Sequence, residues 1–134
     1  MLNNIILTNL RQADDGFIEK FRKLTRKQQM DFIDDLSENE INAILYNWDI
    51  WARDKQLQYR RQDFITILYR CGRGFGKTRT GSEAIIERER LGCRSMGIVN
   101  ATPGAVRDIN IEGPDSGILA CAPPWNRPEY QTTK

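Results

Sequence analysis

The chain of 134 residues carries 40% hydrophobic and 28% charged side chains and a formal net charge of +2, which suits one small globular domain able to bury a real core. It has no histidine, so Ser–His and Cys–His nucleophilic catalysis, histidine acid–base chemistry and histidine metal sites are excluded. No apolar run approaches the roughly 18 residues of a membrane span, and the start lacks the basic-then-apolar pattern of a secretory signal, so a cytoplasmic protein is expected.

The charge is uneven. Residues 1–50 hold 6 basic and 9 acidic side chains, residues 51–94 hold 11 and 5, and residues 95–134 hold 3 and 4. The middle of the chain is therefore its electropositive part, as suits an anionic ligand. Cys71, Cys93 and Cys121 are odd in number and widely spaced with no CxxC, a pattern of free thiols rather than zinc ligands or a disulfide framework.

The first fifty residues predict three short helices. Asp14 or Asp15 caps one that buries Phe17, Ile18, Phe21 and Leu24. Thr25 with Gln28 forms a capping box ahead of Met30, Ile33 and Leu36. Ser37 with Glu40 forms a second, followed at helical spacing by Ile41, Ile44, Leu45, Trp48 and Ala52. This stripe reads first as helix–helix core, with a docking surface for a partner as the alternative.

The next segment carries the chemistry. Phe64–Tyr69 is apolar apart from Thr66 and predicts a strand buried on both faces of a parallel sheet. It runs into CGRGFGKT, with Gly72, Gly74 and Gly76 at alternate positions, then Lys77 and Thr78. Lys77–Leu91 predicts a helix with Gly81, Ala84, Ile85, Arg88 and Leu91 along one side, ended by Gly92. Strand, glycine loop, Lys-Thr and helix in this order are the layout of a phosphate-binding P-loop. In that motif backbone N–H groups surround the phosphates, the lysine reaches the outer ones and the hydroxyl holds a magnesium ion. The strict pattern has glycine where this chain has Cys71. The loop residues Gly72, Arg73, Gly74, Phe75, Gly76, Lys77, Thr78 and Arg79 are the expected nucleotide contacts, with Thr78 the magnesium ligand and Lys77 the group nearest the chemistry.

Beyond the helix, Met96–Ala101 predicts a second strand, and Thr102-Pro103 opens a short helix through Val106 and Arg107. Four prolines from Pro114 onward leave room for one short helical piece near Ser116–Ala120. The expected fold is thus α/β: an incomplete P-loop NTPase core of strand, P-loop, helix and strand over residues 55–134, preceded by a helical segment over residues 1–54. A working site needs a Walker B acid after a later apolar strand. MGIVNA is followed by Thr102-Pro103 instead, and Asp108, Glu112 and Asp115 read as surface residues.

From about Leu36 to the end, the chain resembles the N-terminal ATPase region of large terminase subunits of tailed bacteriophages and prophages. The likeness is carried by LSENEINAILYNWDIWARDKQL, CGRGFGKTRTGSEAI and GIVNATPGAVRDINIEGPDSGILACAPPWNRPEY. The resemblance implies an ATP- and Mg2+-dependent motor that threads viral double-stranded DNA into a capsid in the host bacterial cytoplasm. It implies a small terminase subunit and a portal protein as partners, with homo-oligomerisation of the full-length motor. Gly72, Gly74, Gly76, Lys77 and Thr78 match the family's Walker A loop, Arg73 matches an arginine thought to act on the γ-phosphate in some members, and Gln56 lies where the family tends to contact adenine. Walker B, the coupling motif and the nuclease region have no counterpart in these residues, so the expectation is an N-terminal fragment that binds ATP but does not hydrolyse it alone. The alternatives are a non-enzymatic interaction module with a vestigial P-loop, or an unrelated P-loop NTPase.

Overall fold

The computed structural model describes residue 19 and residues 23–34, 36–61, 63 and 65–131, with the Ile33 side chain also left out. The helix expected around Phe17, Ile18 and Phe21 therefore lies outside the described residues. The chain divides into two compact units, Met1–Ala52 and Arg53–Lys134.

In the first unit both expected capping boxes form. The Thr25 N–H and hydroxyl donate to Gln28 Oε1 at 3.0 and 2.9 Å, opening α1 (Arg26–Asp34). The Ser37 N–H and hydroxyl donate to Glu40 Oε2 at 2.9 and 2.6 Å and open α2 (Glu38–Leu45). These bonds occupy groups that a helix start leaves without partners. The stripe read through Ala52 as one periodic run is two helices. Asn47 Oδ1 accepts the Asp49 N–H at 3.1 Å and starts a new one, α3 (Trp48–Trp51). Asn prefers such a cap to a helix interior because its side chain competes for backbone groups. Trp51 Nε1–H then donates to Ile44 O at 2.9 Å, tying α3 to the end of α2. Ile44, Trp48, Ile50 and Ala52 are buried, whereas Leu45 of the expected stripe is half exposed at 51%.

The second unit begins with a 3₁₀ turn, Leu57–Arg60, and is organised on α4 (Lys77–Arg90). Gly92 ends this helix as expected, with φ +90° and the Cys93 N–H donating to Arg88 O at 3.0 Å. Thr102 caps α5 (Pro103–Ala105), its Oγ1 accepting the Ala105 N–H at 3.1 Å. The chain continues as a π-helical turn, Val106–Ile111, and then α6 (Ile118–Cys121). α6 and the π turn both pack on α4, and Ile86 of α4 forms a buried core with Cys121 and Ala122 at the end of α6. A Cβ on Gly117 would lie 2.5 Å from Gly113 N and 2.6 Å from Ile111 O, so only glycine permits this close passage of backbones.

Two expectations fail here. The first is the α/β core. No β-strand occurs among the described residues, and neither 65–69 nor 96–101 takes regular secondary structure. Ile65, Leu68 and Val99 are exposed at 105%, 77% and 93%. Strand propensity expresses itself only against a neighbouring strand, and an isolated pair of strands is marginal in water. The second is the inward face of α4. Thr80, Ser82, Glu83 and Ile86 are buried, while Gly81, Arg88 and Leu91 are exposed. Polar partners rather than hydropathy choose this face. Ser82 Oγ–H donates to Ser116 O at 2.7 Å, and Glu83 pairs with Arg79 at 2.7 Å.

Among the described residues no helix is long and apolar enough to cross a membrane.

Candidate functional site

The glycine loop turns back on itself immediately before α4. Gly74 and Gly76 have φ of +83° and +84°, conformations that L-residues with a Cβ rarely adopt. Gly76 is the N-cap residue of α4, so the free N–H groups of the first helical turn open onto the loop. Lys77 reaches across its mouth, with Nζ donating to Cys71 O at 3.3 Å and to Gly72 O at 3.1 Å. The ammonium thus spans the loop from its last residues to its first. A turn of this kind, with positive-φ glycines at a helix start and a lysine held at its rim, presents backbone donors and a fixed positive charge to an anion.

Each expected contact residue has a definite place. Gly72, Arg73, Gly74, Gly76 and Lys77 are exposed. Thr78 is half buried in the first turn of α4. Phe75 is half buried, and its ring lies under the Arg53 guanidinium at 5.0 Å and 6.0 Å from the Tyr69 ring. Arg79 is drawn the other way, its Nε donating to Glu83 Oε1 at 2.7 Å and its Nη1 to Asp115 O at 3.3 Å. That geometry makes Arg79 a tie between α4 and the segment before α6. Cys71, which stands where the strict motif has glycine, offers its carbonyl to Lys77, an interaction open to any residue type.

The loop is braced by a segment that periodicity does not single out. Gln56 is 5% exposed, and its Nε2 donates to Phe75 O at 3.2 Å and Thr80 Oγ1 at 3.1 Å. Arg53 Nη2 also donates to Phe75 O, and the Tyr69 hydroxyl donates to Gln56 O at 3.3 Å. Two turns further along α4, Glu87 Oε2 accepts from the Tyr59 hydroxyl at 2.6 Å and from Arg60 Nε at 2.9 Å. Burial, reinforced by the Glu87 carboxylate, pushes the Tyr59 phenol well above its ordinary range. Arg53, Tyr59 and Glu87 were not legible as site residues, because their partners lie 22 to 28 residues away in sequence.

A cleft of about 870 Å³ opens beside the loop. Ile67, Leu68, Tyr69 and Phe75 supply an apolar wall and Arg53 and Arg70 a basic rim. Thr78 is the residue on the loop suited to a magnesium ion that also takes phosphate oxygens. Among the described residues no carboxylate forms a hydrogen bond or ion pair with residues 71–78, and Asp108 is engaged by Arg107 Nε at 2.7 Å. No group of three or more His, Cys, Asp or Glu gathers as a metal site among the described residues.

Comparison of the chain with protein-family models, with curated proteins and with solved structures finds no match.

Proposed function

We propose that this chain binds the phosphates of ATP with Mg2+ through residues 72–78. The observation that carries the reading is the loop itself: Gly74 and Gly76 at positive φ, ending on α4, with Lys77 Nζ bridging to Cys71 O and Gly72 O. Backbone N–H groups at the helix start receive the inner phosphate oxygens. Lys77 exchanges its two carbonyl partners for the outer phosphates, and the Thr78 hydroxyl joins the metal shell. Arg73, exposed at the loop tip, is free to approach the terminal phosphate. The base enters the cleft walled by Tyr69 and Phe75. The resemblance of residues 36–134 to terminase large subunits extends the reading to a DNA-packaging motor of tailed phages, with viral DNA, a small terminase subunit and a portal as its partners. Turnover needs an acid to position water, and the proposal stops at binding.

The test is thermal melting with and without Mg-ATP, beside Lys77→Ala. A ligand that binds only the folded state at a hundredfold excess over its Kd adds about 2.7 kcal/mol. A rise in Tm for the wild type that is lost in Lys77→Ala is expected. A cooperative transition indifferent to Mg-ATP overturns the reading.

A second reading, a docking module whose loop takes no ligand, is favoured by one observation. Met30, Leu45 and Trp51 of the first unit stand 51%, 51% and 47% exposed, apolar side chains that a docked partner would cover. It predicts complex formation that survives Lys77→Ala.

A further inference from the structure

An amide side chain has two N–H donors and two acceptor positions, and in Gln56 all four are spent inside the protein. Nε2 donates to Phe75 O at 3.2 Å and to Thr80 Oγ1 at 3.1 Å. Oε1 accepts from the Arg53 N–H at 3.0 Å and from Arg53 Nε at 3.2 Å. The orientation of the amide is fixed by its partners, since a carbonyl only accepts and a backbone N–H only donates. Thr80 Oγ1 passes the chain on, donating to Gly76 O at 3.0 Å. The Phe75 carbonyl is thus held directly by Gln56, and the Gly76 carbonyl, which accepts the Thr80 N–H at 2.9 Å as the first bond of α4, is linked to Gln56 through the Thr80 hydroxyl. In a planar trans peptide the N–H points opposite to the C=O, so the Gly76 N–H is aimed away from Gln56 and the Lys77 N–H away from Thr80. At 5% exposure and fully partnered, this side chain has nothing left to offer a base.

We infer that Gln56 is a positioning residue of the phosphate loop rather than a base contact: it orients the Gly76 N–H donor by holding the Phe75 carbonyl behind it, and it steadies the Lys77 N–H only indirectly, through the Thr80 hydroxyl on Gly76 O. The inference rests on the phosphate-binding reading above. It departs from the adenine contact that the terminase resemblance implies for this position. A base contact would act on the nucleoside alone. A loop-positioning residue acts on any ligand with the same phosphates.

The experiment measures Kd for Mg2+ with inorganic triphosphate, ATP and GTP, in the wild type, Gln56→Met and Gln56→Glu. Met keeps the volume and removes all four bonds. Glu keeps the acceptor toward Arg53 but sets an acceptor against Phe75 O. Both variants are expected to weaken all three ligands by the same factor, about tenfold, as for loss of a buried hydrogen-bonding group, with the ATP:GTP ratio unchanged. Loss confined to ATP, with inorganic triphosphate unaffected, overturns the inference in favour of a base contact; so does full binding by Gln56→Glu. Amide hydrogen exchange of the free proteins supplies a readout independent of ligand. Faster exchange of the Thr80 N–H, which bonds to Gly76 O at 2.9 Å, in Gln56→Met is expected, and unchanged exchange there overturns the positioning role. Absence of Lys77-dependent triphosphate binding in the wild type sinks the phosphate reading instead, and the exchange data still decide whether Gln56 orders the loop.

Discussion

Gly76 is the residue on which the most depends. Its φ of +84° alone costs an L-residue roughly 1–2 kcal/mol. A Cβ there would also lie 2.9 Å from Gln56 Nε2, at the centre of the bracing network. Gly76→Ala is therefore expected to lower stability by about 2 kcal/mol or more, read from the denaturant midpoint, and to displace the Gln56 amide. A midpoint within experimental error of the wild type would contradict the loop geometry. The cysteines separate just as sharply. Burial pushes the Cys121 thiol up to about 11, and the residue is 2% exposed, while Cys93 is exposed. The thiolate is the reactive form, so a thiol reagent at neutral pH should modify Cys93 quickly and Cys121 only on unfolding. Equal rates in the folded protein would refute this placement. All three cysteines are free, as their number and spacing imply.

At the scale of elements, α4 connects the loop to the rest of its unit, and its inward face is polar. Glu83 is buried there, and desolvation raises its pKa above the ordinary 4.5 despite the opposing pull of Arg79. A carboxyl raised in the folded state binds protons better than in the unfolded chain. Its stabilising contribution is full below 4.5 and is lost as pH rises through the elevated folded value. Unfolding free energy should therefore fall with rising pH across that window in the wild type relative to Glu83→Gln, which keeps an acceptor for Arg79. Taking the difference removes Glu40, Asp63 and Asp108, whose carboxyls are held low by hydrogen bonds from Ser37, Arg61 and Arg107. Parallel stability curves for the two proteins would show that Glu83 is not desolvated. Four helix ends were legible because their determinants are local: Thr25 with Gln28, Ser37 with Glu40, Thr102 before Pro103, and Gly92 past the last turn of α4, whereas the Asn47 start of α3 was read through. The inward face of α4 was not, because it is chosen by Ser116 and Asp115, more than thirty residues downstream.

At the scale of the whole molecule, apolar surface is left in water where strands were expected. Ile65, Leu68 and Val99 are exposed at 105%, 77% and 93%, and short apolar segments rich in β-branched residues are prone to pair with other chains. Leu68→Lys with Val99→Lys should raise the concentration at which the protein stays monodisperse in light scattering, with little change in Tm. A large fall in Tm would mean that these side chains are structural after all. The sequence by itself determined the caps at Thr25, Ser37 and Thr102, the stop at Gly92, the free cysteines and the order of glycines, lysine and threonine in the loop. Each depends on dihedral preferences and hydrogen bonds within a few residues. Tertiary structure alone decided the absence of strands among the described residues, the polar face of α4 and the bracing of the loop by Arg53 and Gln56. A strand exists only if a second strand pairs with it, and Gln56 meets Phe75 and Thr80 across 19 and 24 residues of chain. Such contacts are selected by what the folded chain brings together, which local pattern does not encode.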